Sequence, residues 1–193
     1  MRTIVFDTEG NGERDDHICQ LSYLIRDGDN HDAKNFYFTV DVMNPYAQKV
    51  HGLSRMRLHE LSGGRRFRDD ADEIFSDFSA ADIIVGHNIR SDVDRLNLEF
   101  ERLGLKYTPK HCLCTMKHFN NAMQMQSRDG HRKYPKLSEL CAYYNVADDV
   151  ILQMCRILFN ADGAACHDAR YDASATYLCL LAAKRSGDIR MVF

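Results

Sequence analysis

The sequence predicts an α/β sandwich built on a mixed sheet, and two observations predict it. Through Val42 the apolar residues follow strand periodicity in segments joined by short turns; from Asp70 onward short apolar strands alternate with stretches of helical periodicity. Antiparallel strands followed by strand and helix in alternation make a sheet of mixed sense with helices against its faces.

The elements follow in order. "IVFDTEGNG" (4–12) begins with β-branched and aromatic residues and reads as a strand that ends in Asp7 and Glu9. "HICQLSYLIRDGDN" alternates through Ile18, Leu21, Tyr23 and Ile25 before a Gly/Asp/Asn turn, and "KNFYFTVDV" reads as the third strand of an antiparallel meander. "DDADEIFSDFSA" places Ile74, Phe75 and Phe78 at helical spacing, and "DIIVGH" is a short buried strand. In the amphipathic helix "SDVDRLNLEFERLGL", Ser91 is the expected N-cap, with Val93, Leu96, Phe100 and Leu103 as its apolar stripe. A short strand "HCLCTM" follows, then helices near 115–125, 136–145 and 149–159. The last helix, "ARYDASATYLCLLAAKR", buries Ala173, Thr176, Tyr177, Leu180 and Leu181.

At 193 residues with three prolines, no repeat and no linker, the chain is expected to form one domain over 1–193. No apolar run is long enough to span a bilayer and no signal layout opens the chain, so a soluble, cytoplasmic protein without membrane contact is expected. Seven scattered cysteines suit a reducing compartment and read as small core residues rather than a disulfide framework or a zinc site. The net charge of −3 averages over basic runs at 63–68 and 128–136, so it does not announce a nucleic-acid binder. In the second run, Arg128, Arg132, Lys133 and Lys136 suit either phosphate contacts or a solvated loop.

Three acidic stretches stand out. Asp7 and Glu9, at i and i+2 on a strand, share one face and repel each other unless a cation, a proton or a salt bridge intervenes; solvated loop residues would show the same spacing. Asp92 falls in a first helical turn after Gly86-His87-Asn88, where the helix dipole alone accounts for a carboxylate. His167 and Asp172 are five residues apart, roughly 500° around an ideal helix, so His167 belongs to the loop entering the last helix and Asp172 to its body. Asp168 reads as a helix-start residue.

Taken together, the order Asp, Glu, Asp, His, Asp resembles the DEDDh group of 3′→5′ exonucleases, the superfamily that includes polymerase proofreading subunits. Phe6-Asp7-Thr8-Glu9 is similar to the family's opening strand, His87-Asn88-x-x-x-Asp92 to its second motif and His167-x-x-x-x-Asp172 to its third. Val50-His51-Gly52-Leu53 resembles its loop beside the terminal nucleotide, while "LCTMK" (113–117) and "KLSELCAYYNV" (136–146) resemble its later junction and helix. The family's Thr-Gly after the first Glu is replaced here by Gly10-Asn11-Gly12, close to where the family places the terminal sugar.

The resemblance implies a ribonuclease-H-like three-layer sandwich, with helices flanking a five-stranded sheet whose first three strands are antiparallel. It implies two divalent ions, Mg²⁺ or Mn²⁺, on Asp7, Glu9, Asp92 and Asp172, a donor set of hard oxygens without a thiolate. His167, an imidazole on a loop, is the implied general base. Thr8, Gly10, His51, Gly52, Leu53, His87 and Asn88 are the implied substrate neighbours; His87 and Asn88 also suit bracing of their own loop. The implied reaction releases nucleoside monophosphates from the 3′ ends of single-stranded DNA or RNA, by a stand-alone enzyme, a homodimer or a polymerase-associated subunit. The alternatives are a silent nucleic-acid-binding module and a hydrolase of short oligonucleotides or small nucleotides.

Overall fold

The structure is a computed structural model and describes residues 1–14 and 16–190. Residues 15 and 191–193, part of the expected 1–193 domain, lie outside the described residues. Five strands form one sheet in the order β3-β2-β1-β4-β5: β1 (Arg2–Gly10), β2 (Ile18–Asp27), β3 (Asn30–Tyr37), β4 (Ile83–Gly86) and β5 (Cys112–Cys114). β1 pairs antiparallel with β2 and parallel with β4, so the strand bearing Asp7 and Glu9 lies at the centre with both edges hydrogen-bonded. The mixed sheet with an antiparallel opening meander is the architecture expected from the sequence.

The pleat of β1 divides its side chains between two cores. Ile4 and Phe6 pack with Ile74 and Phe78 of α3 (Ala71–Ala80) and with Leu96 and Phe100 of α4 (Ile89–Arg102). Val5 instead packs with Leu140 of α7 (Leu137–Tyr143), Cys155 of α8 (Asp148–Phe159) and Leu180 of α9 (Ala169–Ser186). By the same parity Asp7 and Glu9 face the α9 layer, and Thr8 faces α4. β2, expected to alternate, is buried on both faces from Ile18 to Ile25 because each side of the sheet carries helices. α9 is buried continuously from Ala173 to Leu180, with the sheet on one side and α7 and α8 on the other.

The structure differs from the sequence reading at several points. α1 (Pro45–His51) and α2 (Arg55–Ser62) occupy a stretch the periodicity leaves blank. α1 buries no residue and α2 only Leu58 and Ser62, so neither has an apolar stripe to announce it. β3 ends at Tyr37 rather than running on to Val42. α4 starts earlier than expected: Asn88 is its N-cap in a left-handed conformation (φ 65°), and Ser91 lies inside, its hydroxyl donating back to the Asn88 carbonyl. Leu103, counted in the stripe, is the exposed C-cap. The helix near 115–125 is broken into two four-residue turns, α5 (Thr115–His118) and α6 (Asn120–Met123). The cysteines are not uniformly core: Cys112 and Cys166 are exposed and Cys114 is half-buried. Among the described residues no helix is long and apolar enough to cross a membrane.

Candidate active site

The carboxylates converge because three elements end at one place: β1 runs out at Gly10, α4 begins just beyond the parallel strand β4, and α9 starts across the sheet. Gly86, which links β4 to α4, is closely packed: a Cβ there would lie 3.2 Å from the Phe6 carbonyl and from Ile89, so a larger residue would push its neighbours apart by a few tenths of an ångström. That contact fixes the strand-to-helix turn that delivers Asp92.

On the α9 side, Glu9, His167 and Asp172 have ligating atoms all within 4.8 Å of one another. His167 is exposed, in a left-handed conformation (φ 65°), and its backbone N–H donates to Asp172 Oδ2 at 3.3 Å. Asp168 caps α9, accepting from the Arg170 N–H at 3.0 Å and from Gln20 Nε2 at 2.9 Å. The sequence placed His167 in the entering loop, Asp172 in the helix body and Asp168 at its start, and each lies there.

Asp92 is buried at 3% exposure and accepts a 2.6 Å hydrogen bond from Thr8 Oγ1. One guanidinium organises this side: Arg95 Nε donates to Asp16 Oδ2 at 2.8 Å, and its Nη1 reaches the Thr8 carbonyl at 3.4 Å and lies 3.9 Å from Asp92. Gly10 is held open for that pair, since a Cβ there would meet Asp16 Oδ1 at 2.5 Å and Arg95 Nε at 2.9 Å.

Burial raises the pKa of all four acids, and for Asp7, Glu9 and Asp172 neighbouring carboxylates add to it. Burial, then Asp92, Asp172 and Glu9, hold Asp7 well above the ordinary carboxylate range, with Arg95 opposing. Burial and Asp172 push Glu9 up to about 8. Asp172 rises to about 7, mainly by burial. Asp92 rises to about 6, also by burial, with the Thr8 hydrogen bond and Arg95 restraining it. Near neutrality a cluster in this state retains protons that a cation can replace.

The implied substrate neighbours fall into two groups. His51 ends α1 beside the site: burial and the proximity of His167 lower its pKa, and its Nδ1 accepts from the Leu53 N–H at 3.1 Å. Its Nε2 is buried without a hydrogen-bond partner among the described residues, although the Gly10 carbonyl lies alongside. Gly52 is the exposed left-handed cap of α1, and Leu53 packs on Cys19, Val40 and Leu58. Thr8 is buried with its hydroxyl committed to Asp92. His87 is bonded through both ring nitrogens, donating from Nε2 to the Pro135 carbonyl at 3.0 Å, with Nδ1 3.0 Å from Thr115 Oγ1. Asn88 bonds Ser91 within its own turn.

Sequence reasoning did not single out Arg95, Asp16 or Gln20. Arg95 could have been found from its position one helical turn after Asp92; Asp16 and Gln20 lie far along the chain from their partners, Arg95 and Asp168.

A ribonuclease-H-like sheet with aspartates and a glutamate from β1, α4 and α9 meeting near the end of its central strand defines the DEDD class of 3′→5′ exonuclease folds. The chain belongs to the RNase T exonuclease family, whose model, described as "Exonuclease", matches residues 4–180. No curated protein matches it. Among solved structures it is similar to E. coli Exonuclease I in complex with a dT13 oligonucleotide (17% identity, TM-score 0.71, 97% of this chain and 42% of that one). The zinc-bound form of the E. coli Exonuclease I complex with single-stranded DNA is also similar (18%, 0.67, 96% and 40%). So is a moderately thermophilic Exonuclease I from Methylocaldum szegediense (15%, 0.67, 95% and 40%). The chain thus spans about two fifths of the length of these structures.

Proposed function

We propose that this chain is a metal-dependent 3′→5′ exonuclease that removes nucleoside monophosphates from single-stranded nucleic acid. The observation that carries the reading is the meeting of Asp7, Glu9, Asp92 and Asp172, all raised in pKa, with an exposed imidazole at the rim. Membership of an exonuclease family supports it, as do relatives of the same fold solved with single-stranded DNA and with zinc.

The residues present fit a divalent-cation centre. The donors are oxygens, with an imidazole beside them, and burial beside other carboxylates makes Asp7 and Glu9 costly to ionise without a counter-ion. Asp7, Glu9, Asp92 and Asp172 are the proposed ligands. Two Mg²⁺ or Mn²⁺ ions held there would supply charge neutralisation for phosphodiester hydrolysis. The chain's own groups do the rest. His167 takes the proton from the attacking water; its exposed loop position lets the ring reach solvent and then release that proton. Thr8 and Arg95 hold Asp92 ionised and fixed in orientation. His51, at the end of α1 beside the site, and the exposed backbone of Gly52 are the groups proposed to meet the terminal nucleotide, whereas Gly10 is buried against Asp16 and Arg95. Leu53 supports the His51 loop from below, while His87 and Asn88 brace the turn into α4.

The test is a time course on 3′- and 5′-labelled single-stranded DNA and RNA of one sequence with Mg²⁺, Mn²⁺ or EDTA, alongside Asp7→Asn. A metal-dependent ladder shortening from the 3′ end, absent in the variant, is expected. Cleavage of neither polymer under any metal would refute the proposal and direct attention to dinucleotides or to a silent binding module.

A further inference from the structure

Two thiols outside the acidic centre are placed for chemistry that the hydrolytic reaction does not use. Cys141 on α7 and Cys179 on α9 have sulfurs 3.7 Å apart, with the Cys179 S–H donating to Cys141. Their surroundings differ. Cys179 is fully buried, whereas Cys141 is 8% exposed and lines a cleft of about 280 Å³ shared with Leu137, Tyr171 and Asp172. One thiol therefore faces a space that a small solute can enter, and the other stands directly behind it.

We propose that Cys141 and Cys179 are a peroxide-oxidised pair that closes into a reversible disulfide between α7 and α9. The Cys141 thiolate attacks one oxygen of hydrogen peroxide; an S–O bond forms, the O–O bond breaks, and the departing hydroxide takes up a proton to leave as water. Cys141 is then a sulfenic acid. Cys179 attacks that sulfur, the S–S bond forms as the S–O bond breaks, and the Cys179 proton leaves with the hydroxyl group as a second water. Two electrons pass from the two thiols to one peroxide.

The geometry assigns the order of events. Only Cys141 of the pair borders the cleft, so it meets the oxidant, and the Cys179 S–H pointing at it favours the thiolate and lowers its pKa. Closing the sulfurs from 3.7 Å to the bonded distance of about 2.05 Å requires a rotamer change and a small approach of α7 to α9. Because α9 also carries Asp172, the bond would tie a strut to the helix that supplies one of the acids.

The experiment treats the reduced chain with hydrogen peroxide, blocks remaining thiols with N-ethylmaleimide and maps a non-reducing tryptic digest by mass spectrometry. The expected product joins the peptide 137–156 to the peptide 171–184, with fragmentation placing the link on Cys141 rather than Cys155, and dithiothreitol reverses it. In Cys179→Ala, Cys141 is expected to persist as a sulfenic acid captured by dimedone. A link to Cys166 or Cys155 in place of Cys179, or full alkylation of Cys141 and Cys179 on unfolding after peroxide, would overturn the proposal. Should Cys179→Ala fail to fold, the map of the unsubstituted chain decides the matter by itself.

Discussion

Glu9→Gln exposes the electrostatic state of the metal-free centre. In the folded chain Glu9 titrates near 8 against 4.5 for an ordinary glutamate. A carboxyl whose folded pKa is raised costs the fold nothing below its unfolded pKa, an increasing amount as pH climbs between the two values, and a constant amount above both. At 1.36 kcal/mol per pH unit, the interval from 4.5 to about 8 sets an upper bound of about 5 kcal/mol, reached above pH 8. Gln carries no charge to bury. The EDTA-treated variant should therefore be more stable than the parent by several kcal/mol at pH 9 and by about 1 kcal/mol or less at pH 5. Urea unfolding followed by circular dichroism at the two pH values measures the difference. Adding Mn²⁺ at pH 8 should reverse the ranking, because the parent gains a bound ion and the variant has lost a ligand. Equal stability differences at pH 5 and pH 9, or a variant that is less stable at pH 9 without metal, would refute the reasoning.

Other substitutions test the neighbouring parts. His167→Ala should slow cleavage about 10²–10⁴-fold; an unchanged rate would assign the proton to another group. His167→Gly should be as inactive yet about 1 kcal/mol more stable in urea than His167→Ala, because only glycine accepts φ 65° without strain. Arg95→Met removes the cation that lowers Asp7, Glu9 and Asp92, so the pH midpoint of Mn²⁺ binding should move upward. Calorimetric Mn²⁺ titrations across pH locate that midpoint, and an unchanged midpoint would refute the role given to Arg95. Asp168→Ala removes the cap of α9 and the partner of buried Gln20 and should lower stability by about 1–3 kcal/mol, read from the urea midpoint.

The acidic centre was legible in the sequence to the extent that local periodicity governs it. The two-residue repeat of a strand is enough to put Asp7 and Glu9 on one face, and helical geometry is enough to separate His167 from Asp172. What joins those faces is not local. Arg95 meets Asp16 across 79 residues and Gln20 meets Asp168 across 148, and no spacing rule reaches that far. α1 and α2 escaped notice because a helix lying on the surface with few buried residues leaves no apolar signature. The start of α4 was misplaced because Ser91 has the chemistry of a cap, while the turn is set by Gly86 against the Phe6 carbonyl and by a left-handed Asn88. The exposed Cys112 and Cys166 show the limit of composition, which gives an average burial and no positions.

The central place of β1 has a kinetic meaning as well. With partners on both edges and a core on both faces, the amides of Ile4, Val5 and Phe6 can exchange with solvent only when the whole sheet comes apart. His167 sits instead among the exposed residues 165–167, where opening gives up little buried surface. β1 and the loop carrying His167 are therefore expected to exchange at widely different rates, which hydrogen exchange followed by mass spectrometry measures.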